Sequence, residues 1–320
     1  MIFEKNIRVL HFTAMWPTHE FPHSGTFVKN LVNGLRKRGG VHEVLFIPVY
    51  KSKWEYVKAF KILKDVLKAK KYHLVHSQYA HCNLIAGLVS RIPVVGHFHG
   101  EFGYGNYINE YYKDSLIAKF ASKIIKASIV VNPWDIKHVC SKYKAVIPIG
   151  VDPDFFYPMD RVKACKALGW DPKPLKVLFP SDPKRPEKNY GLFKKVLNKL
   201  KKEFCDLKEV ILHRVPYEKV PLYMNAVDLM ILSSKTEASP TVIKEALACN
   251  LPIISTPVGD TLECLKGVRN SAVVRPEGIY EVARDILKKR TRSNGRIKIS
   301  HYSLEITINK VLRFYQKILE

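Results

Sequence analysis

The sequence is short of acid. Against 53 lysines and arginines stand 29 aspartates and glutamates, a formal net charge of +24. Cysteine is also sparse: six in 320 residues, at 82, 140, 165, 205, 249 and 264, with no C-x-x-C pair. That excludes a disulfide frame and a cysteine zinc site, and fits the reduced thiols of a cytosolic protein. No D-x-D sits at a strand end and the histidines lack ligand spacing, so no metal site is expected. No run reaches the roughly 18 uninterrupted apolar residues of a spanning helix. The best candidate, "SLIAKFASKIIKASIVV", is broken by Lys119, Lys123 and Lys126. The opening "MIFEKNIRVLHF" enters a strand-like run without signal-peptide architecture, so a cytoplasmic location is expected. Internal repeats and low-complexity segments are absent.

What is present is ample core material. Hydrophobic residues make up 47% of a chain long enough for two domains. The positive charge is not held in a tail: residues 1–150 carry 22 basic against 9 acidic side chains, and the remainder 31 against 20. Such a balance implies an anionic partner, whether a phosphorylated substrate, an acidic membrane face or nucleic acid. General solubility and thermophile-like lysine enrichment would produce it equally.

Short β-branched runs alternate with helical patterns from end to end. Strands are predicted at 7–12, 43–49, 73–77, 93–99, 128–132 and 145–150, then at 175–181, 209–215, 228–234, 252–257 and 271–276. Valine- and isoleucine-rich strands separated by helices predict parallel sheets covered on both faces. Two such series predict two doubly wound domains. The break falls in "IPIGVDPDFFYPMD" (147–160), which has three prolines and no helical period. The expected domains are 1–152 and 153–302, with an amphipathic helix over 303–320 packing back on the first.

The stretch "TEASPTVIKEALACNLPIISTPVGD" (236–260) concentrates the chemistry. Ser239 suits an N-cap, Pro240 the first helical turn, and Asn250 a left-handed C-cap. Free amides near Thr241 and Val242 would make an anion site at the carboxyl end of a parallel sheet, where ligands collect. Glu237 and Glu245, about 12 Å apart if helical, could serve opposite ends of an extended ligand such as a nucleotide-sugar. By itself the spacing favours a plainer reading, with one carboxylate favouring the helix dipole and the second in solvent.

"EASPTVIKEALACNLPII" resembles the E-x7-E signature of family 4 glycosyltransferases, and further motifs follow in that family's order. "HSGTFVKNLVNGLRKRGGVHEV" resembles its glycine loop and helix, "HFHGEF" its histidine motif, and "PIGVDPDFFYP" its interdomain segment. "VLFPSDPKRPEKNYGLF" stands where its basic loop stands, "VPLYMNAVDLMIL" leads into the signature and "TPVGDTLE" leaves it. The resemblance implies an α/β protein of the GT-B fold, two doubly wound Rossmann-like domains with an interdomain cleft. It implies a retaining, metal-independent transfer of a sugar from a nucleotide donor, UDP- or GDP-sugar before ADP-sugar, with no cofactor besides.

By position the resemblance gives each residue a role. Glu237 would bind a donor-sugar hydroxyl and Glu245 the nucleotide ribose. Lys188 and Arg185 would bind the diphosphate together with the helix start at Pro240 and Thr241. Arg185 lies closer to Lys188 than the family's spacing, and Lys184 is adjacent. Gly25 would let the backbone approach a phosphate, although the family's paired glycines are "SG" here. The family's histidine directly precedes glycine, which selects His99 over His97, near the reaction centre. Val215 would contact the base through its backbone.

The acceptor is not named by the sequence; a lipid-linked, polysaccharide or small-glycoside hydroxyl is expected. Residues 51–72 carry eight lysines against Glu55 and Asp65, and Val57, Phe60, Leu63 and Leu67 form a stripe predicted to pack on the sheet. The alternative is peripheral attachment to an anionic membrane face. Aromatics in "FGYGNYINEYY" (102–112) could line an acceptor cleft. Two rival readings are an epimerase of the same fold and a basic nucleic-acid-binding protein; the spread of charge argues against the latter, and no nucleic acid is expected.

Overall fold

The computed structural model describes residues 7–102 and 112–320. It divides into two compact units, residues 1–149 with 304–320, and residues 150–303.

The first unit is built on six parallel strands: β1 (Arg8–Thr13), β2 (Val41–Phe46), β3 (Leu74–Gln78), β4 (Val94–Phe98), β5 (Ala127–Val130) and β6 (Tyr143–Val146). Their order is β2-β1-β3-β4-β5-β6. Strands β3, β4 and β5 are buried at every position, because helices cover both faces; β2 and β6, at the edges, are half-exposed. The helices are α1 (Thr26–Arg38), α2 (Trp54–Ala69), α3 (Ala80–Val89) and α4 (Tyr112–Ile124). The sheet reverses its winding between β1 and β3, the place where such sheets open a ligand crevice beyond their carboxyl ends.

The second unit has five parallel strands: β7 (Lys176–Phe179), β8 (Lys208–Ile211), β9 (Leu229–Leu232), β10 (Ile253–Ser255) and β11 (Ala272–Val273). Their order, β11-β10-β9-β7-β8, reverses between β7 and β9. Its helices are α5 (Arg161–Ala167), α6 (Tyr190–Glu203), α7 (Val220–Ala226), α8 (Thr241–Ala248), α9 (Thr261–Leu265), α10 (Ile279–Lys289) and α11 (Ile299–Tyr302). All eleven predicted strands are present, within a few residues of the expected bounds.

The last helix, α12 (Leu304–Leu319), belongs to the first unit. Its buried stripe of Ile308, Val311, Leu312, Tyr315 and Ile318 packs with Val9, Leu31, Leu35, Val95 and Ile129. Each fully buried aliphatic side chain of this kind contributes about 1.5–3 kcal/mol, so the helix is a structural member of that core.

Helix α2 departs from expectation. Its buried residues are Ala59 and Leu63, flanked by half-buried Tyr56, Val66 and Leu67. Val57 and Phe60 face outward, 58% and 38% exposed, beside Trp54 at 72%. The covered stripe lies one helical row away from the expected one, since Tyr56 and Ala59 compete with Val57 and Phe60 for the same periodicity. The aromatic cluster of 103–111 lies outside the described residues.

Candidate active site

In the second unit the chemistry gathers at the carboxyl ends of β7 and β9, the two strands at the reversal. The loop after β7 carries Lys188, and the segment after β9 carries Glu237. Their side chains meet at 2.6 Å, each only 13% exposed. Ser234 Oγ donates to the same Glu237 oxygen at 2.7 Å. The backbone stitches the two segments together: Lys235 N–H donates to Glu187 O at 2.7 Å, and Ser233 Oγ to Lys188 O and Asn189 O at 3.1 Å. Arg185, by contrast, is exposed and pairs with Glu187 of its own loop at 2.5 Å.

Beside Glu237 starts α8. Pro240, not Ser239, occupies the cap position, and the first-turn amides have no side-chain cap. The hydroxyl of Ser239, expected to cap them, instead donates to Asp260 Oδ2 at 2.5 Å. Lys244, fully buried, pairs with the same Asp260 oxygen at 3.0 Å, hydrogen-bonds Ser239 Oγ and lies 5.3 Å over the Tyr302 ring. This buried group ties the loop after β10 to the start of α8. Gly259 sits in that loop with φ +49°, and a Cβ there would meet Ala238 O at 2.5 Å; only glycine allows this approach. The start of α8 therefore offers its amides and dipole to an anion, with Thr241 as its first residue. Helix α8 is followed by Asn250 at φ 54°, in the left-handed region as anticipated.

Glu245 is 8% exposed, and burial alone pushes its carboxyl up to about 7. No hydrogen bond to that carboxylate is found among the described residues. A buried carboxyl without a partner is a costly group for a fold to retain, and it is ready to accept from ligand hydroxyls. Val215 is half-buried against the unit's core, next to Arg214 at φ 55°.

In the first unit Gly25 (φ +65°) stands before α1, and a Cβ would lie 2.4 Å from Met15 O. His99 follows β4. Its ring stacks on His97 at 4.4 Å and touches Phe27 and Tyr79 at 4.9 and 4.8 Å. His99 Nε2 lies 2.8 Å from Gln78 Oε1. Glu101 accepts from the backbone amide of His99 and, at 2.9 Å, from that of Ala80, so it fixes the His99 loop and caps α3 at once. Burial pushes the Glu101 carboxyl up to about 7 and the His99 imidazole down to about 3, the latter aided by His76. His99 is thus neutral at physiological pH.

Sequence reasoning missed Lys244, Asp260, Gln78 and Glu101. A lysine inside "TVIKEALA" is a visible anomaly on an apolar helix; its partner, sixteen positions on, is not legible without the fold.

Two family models match the chain: Glycosyltransferase Family 4 over residues 8–155, and Glycosyl transferases group 1 over residues 183–289. The chain belongs to this family of group 1, family 4 glycosyltransferases, and its two Rossmann-like halves are those of the GT-B fold. The phosphatidylinositol N-acetylglucosaminyltransferase GPI3 subunit of Saccharomyces cerevisiae (strain YJM789) is 24% identical, over 74% of this chain and 59% of its own length. A second curated relative is matched over only 20% of its length, at 34% identity. The chain therefore spans three fifths or less of these relatives. Among solved structures, sucrose-phosphate synthase from Thermosynechococcus elongatus superposes with a TM-score of 0.76 at 16% identity, covering 97% of this chain and 99% of that one. HepE of Anabaena in complex with UDP gives 0.70 at 14%, covering 97% and 100%.

Among the described residues no group of three or more side chains could hold a metal ion, and no helix is long and apolar enough to cross a membrane.

Proposed function

We propose that the protein is a retaining glycosyltransferase that moves a sugar from a UDP- or GDP-sugar to a hydroxyl on a lipid-linked, polysaccharide or small-glycoside acceptor. The observation that carries this reading is the Lys188–Glu237 pair beside the uncapped start of α8, with partnerless Glu245 on the same helix. HepE has been solved with UDP and with UDP-glucose, which favours a uridine donor.

The leaving nucleoside diphosphate develops negative charge as the glycosidic bond breaks. Once Lys188 has exchanged Glu237 for the diphosphate, it and the α8 amides meet that charge where it develops, and such electrostatic stabilisation is usually the largest single contribution to catalysis. Arg185 exchanges Glu187 for the diphosphate. Glu237 gives up Lys188 and accepts from a donor-sugar hydroxyl; Glu245 accepts from the ribose hydroxyls, and the Val215 backbone meets the base. In the first unit, Gly25 is assigned the admission of a phosphate close to the backbone, and His99 a place at a sugar. The cations stand in for a divalent ion, and attack proceeds on the face the nucleotide leaves, through an oxocarbenium-like state.

A second proposal concerns location. Trp54, Val57 and Phe60 project outward among Lys51, Lys53, Lys58, Lys61 and Lys64. Apolar anchors within a basic field suit an anionic cytoplasmic membrane face, where lipid-linked acceptors are presented.

The test is a thermal-shift screen against UDP-, GDP- and ADP-sugars, followed by product analysis with the stabilising donor. Stabilisation by a uridine or guanosine sugar and formation of a glycoside with retained configuration support the proposal. An epimerised free sugar without glycoside, or stabilisation only by oligonucleotides, would replace it with one of the rival readings.

A further inference from the structure

Beneath His99 the first unit buries an unbroken set of imidazoles and amides. His99 Nε2 is 2.8 Å from Gln78 Oε1, and Gln78 Nε2 is 3.1 Å from His76 Nε2. His76 Nδ1 lies 2.5 Å from the hydroxyl of Tyr315 on α12, and its Nε2 is 3.3 Å from His97 Nδ1. Gln78, His76, His97 and Tyr315 are all at most 2% exposed. None of the imidazoles carries a charge, because burial holds each well below its ordinary range. Each must therefore be one neutral tautomer or the other.

Two wirings carry the row from His99 to Tyr315, and in both His76 Nε2 is shared between Gln78 and His97. In the first, the Gln78 oxygen accepts from His99 Nε2–H and its amide donates to His76 Nε2. His76 then carries its proton on Nδ1 and donates to Tyr315. In the second, the Gln78 amide is turned over and every proton in the row moves to the other nitrogen. The atoms left without partners decide between them. Among the described residues, His97 Nε2 and His99 Nδ1 are buried with no hydrogen-bonding partner. The first wiring makes both of them bare lone pairs. The second makes both of them buried N–H groups with nothing to receive the hydrogen, and among buried groups orphaned donors are the rarer defect. The adjoining pair obeys the same rule. His42 Nε2 faces Gly39 O at 3.3 Å and so donates, which leaves His42 Nδ1 to accept from His11 Nε2 at 2.9 Å. The third partnerless ring nitrogen, His11 Nδ1, is then a lone pair as well.

We propose that Tyr315, His76 and Gln78 are positioning residues that lock His99 in its Nε2–H tautomer, with that proton held by Gln78 and Nδ1 left as a buried lone pair. On the reading that His99 serves the donor sugar, the imidazole is neutral, its one N–H is engaged by Gln78, and it does not protonate the leaving group.

The test is long-range proton–nitrogen correlation on the whole chain labelled with [15N]histidine, without ligand, with the His99 signals assigned by their loss in His99→Asn. The expected result is a protonated Nε2 and a bare Nδ1 at His99. Tyr315→Phe removes the group that receives the His76 proton and touches no atom of His99. It should shift the His99 tautomer ratio roughly fivefold toward Nδ1–H, the worth of one net hydrogen bond. Gln78→Leu should erase the preference. Gln78→Glu, whose oxygens can accept from both rings, should keep His99 as it is while turning His76 over. A protonated Nδ1 in the unaltered protein overturns the proposal, as does a His99 ratio indifferent to both Tyr315→Phe and Gln78→Leu. Should Tyr315→Phe not fold by circular dichroism, the two Gln78 variants decide alone. Because no substrate is present, the result stands apart from catalysis: the expected tautomers in a protein that turns over no donor would refute the glycosyltransfer reading and leave the relay intact.

Discussion

Glu245 is a group the fold keeps at a loss, and replacing it with glutamine should make the free protein more stable. Burial raises its carboxyl from the ordinary 4.5 to about 7. Each factor of ten in proton affinity is worth about 1.4 kcal/mol, so the ionised side chain costs the folded state roughly 3 kcal/mol above pH 7. The sign follows from proton uptake. Between pH 4.5 and 7 the native state holds a proton that the unfolded chain has released, so stability falls as pH rises through this window. Glu245→Gln removes the cost, and for a unit of this size should raise the unfolding midpoint by roughly 6–12 °C at about pH 8. About one unit below the ordinary carboxyl value of 4.5, where the native and unfolded carboxyls are both largely neutral, the gain should nearly vanish. Differential scanning calorimetry at the two pH values reads both. Titration with UDP should show the opposite: weaker binding by the variant, and binding by the parent that strengthens as pH rises through 7. Equal gains at acid and alkaline pH would mean that glutamine merely packs better. No gain at alkaline pH would mean that the carboxylate is already satisfied, and the account of the site fails with it.

Glu237→Ala should cut transfer at least a hundredfold while leaving UDP binding intact or tighter, since Lys188 is freed from its partner; steady-state kinetics and calorimetry check this, and near-normal turnover would remove Glu237 from the mechanism. Lys244→Ala leaves Asp260 buried and unpaired, a lesion of about 3–5 kcal/mol, to be measured by urea unfolding. Transfer should survive EDTA, and a requirement for added Mg²⁺ or Mn²⁺ would count against the metal-free mechanism. The first unit should lose stability as pH falls below 6.5, because His11, His76, His97 and His99 are held neutral in the fold and take up protons once unfolded. Denaturant midpoints at neutral pH and about one and a half units lower test that order.

The alternation of strands and helices was legible because buried parallel strands are written as continuous apolar runs, and Val177–Phe179 of β7 and Leu229–Leu232 of β9 are such runs. Lys188 and Glu237 could be paired only by family resemblance; they stand 49 residues apart, and the order of β7 and β9 that joins them is a property of the sheet. Ser239 shows where local rules mislead. Its type and place say cap, yet a buried lysine on the same helix and an aspartate 21 residues away compete for its hydroxyl and win. The face of α2 was hidden for a different reason: apolar residues occur on adjacent helical rows, and periodicity cannot say which row is covered when some of them stay in water. The histidine row was invisible because His11, His76 and His97 are three separate, ordinary residues until β1, β3 and β4 align side by side.

Helix α12 gives the first unit a long delay built into its connectivity. All six strands of that sheet precede residue 150, but one wall of its core and the hydroxyl that anchors His76 arrive only after the entire second unit has been made. During synthesis the nascent sheet must wait with Val9, Leu35 and Ile129 uncovered, while the second unit can already fold. A ribosome that stalls before residue 304 therefore releases a chain with one finished half and one open half. Such a chain is a natural substrate for chaperones, and the histidine row beneath its open wall is still reachable by water.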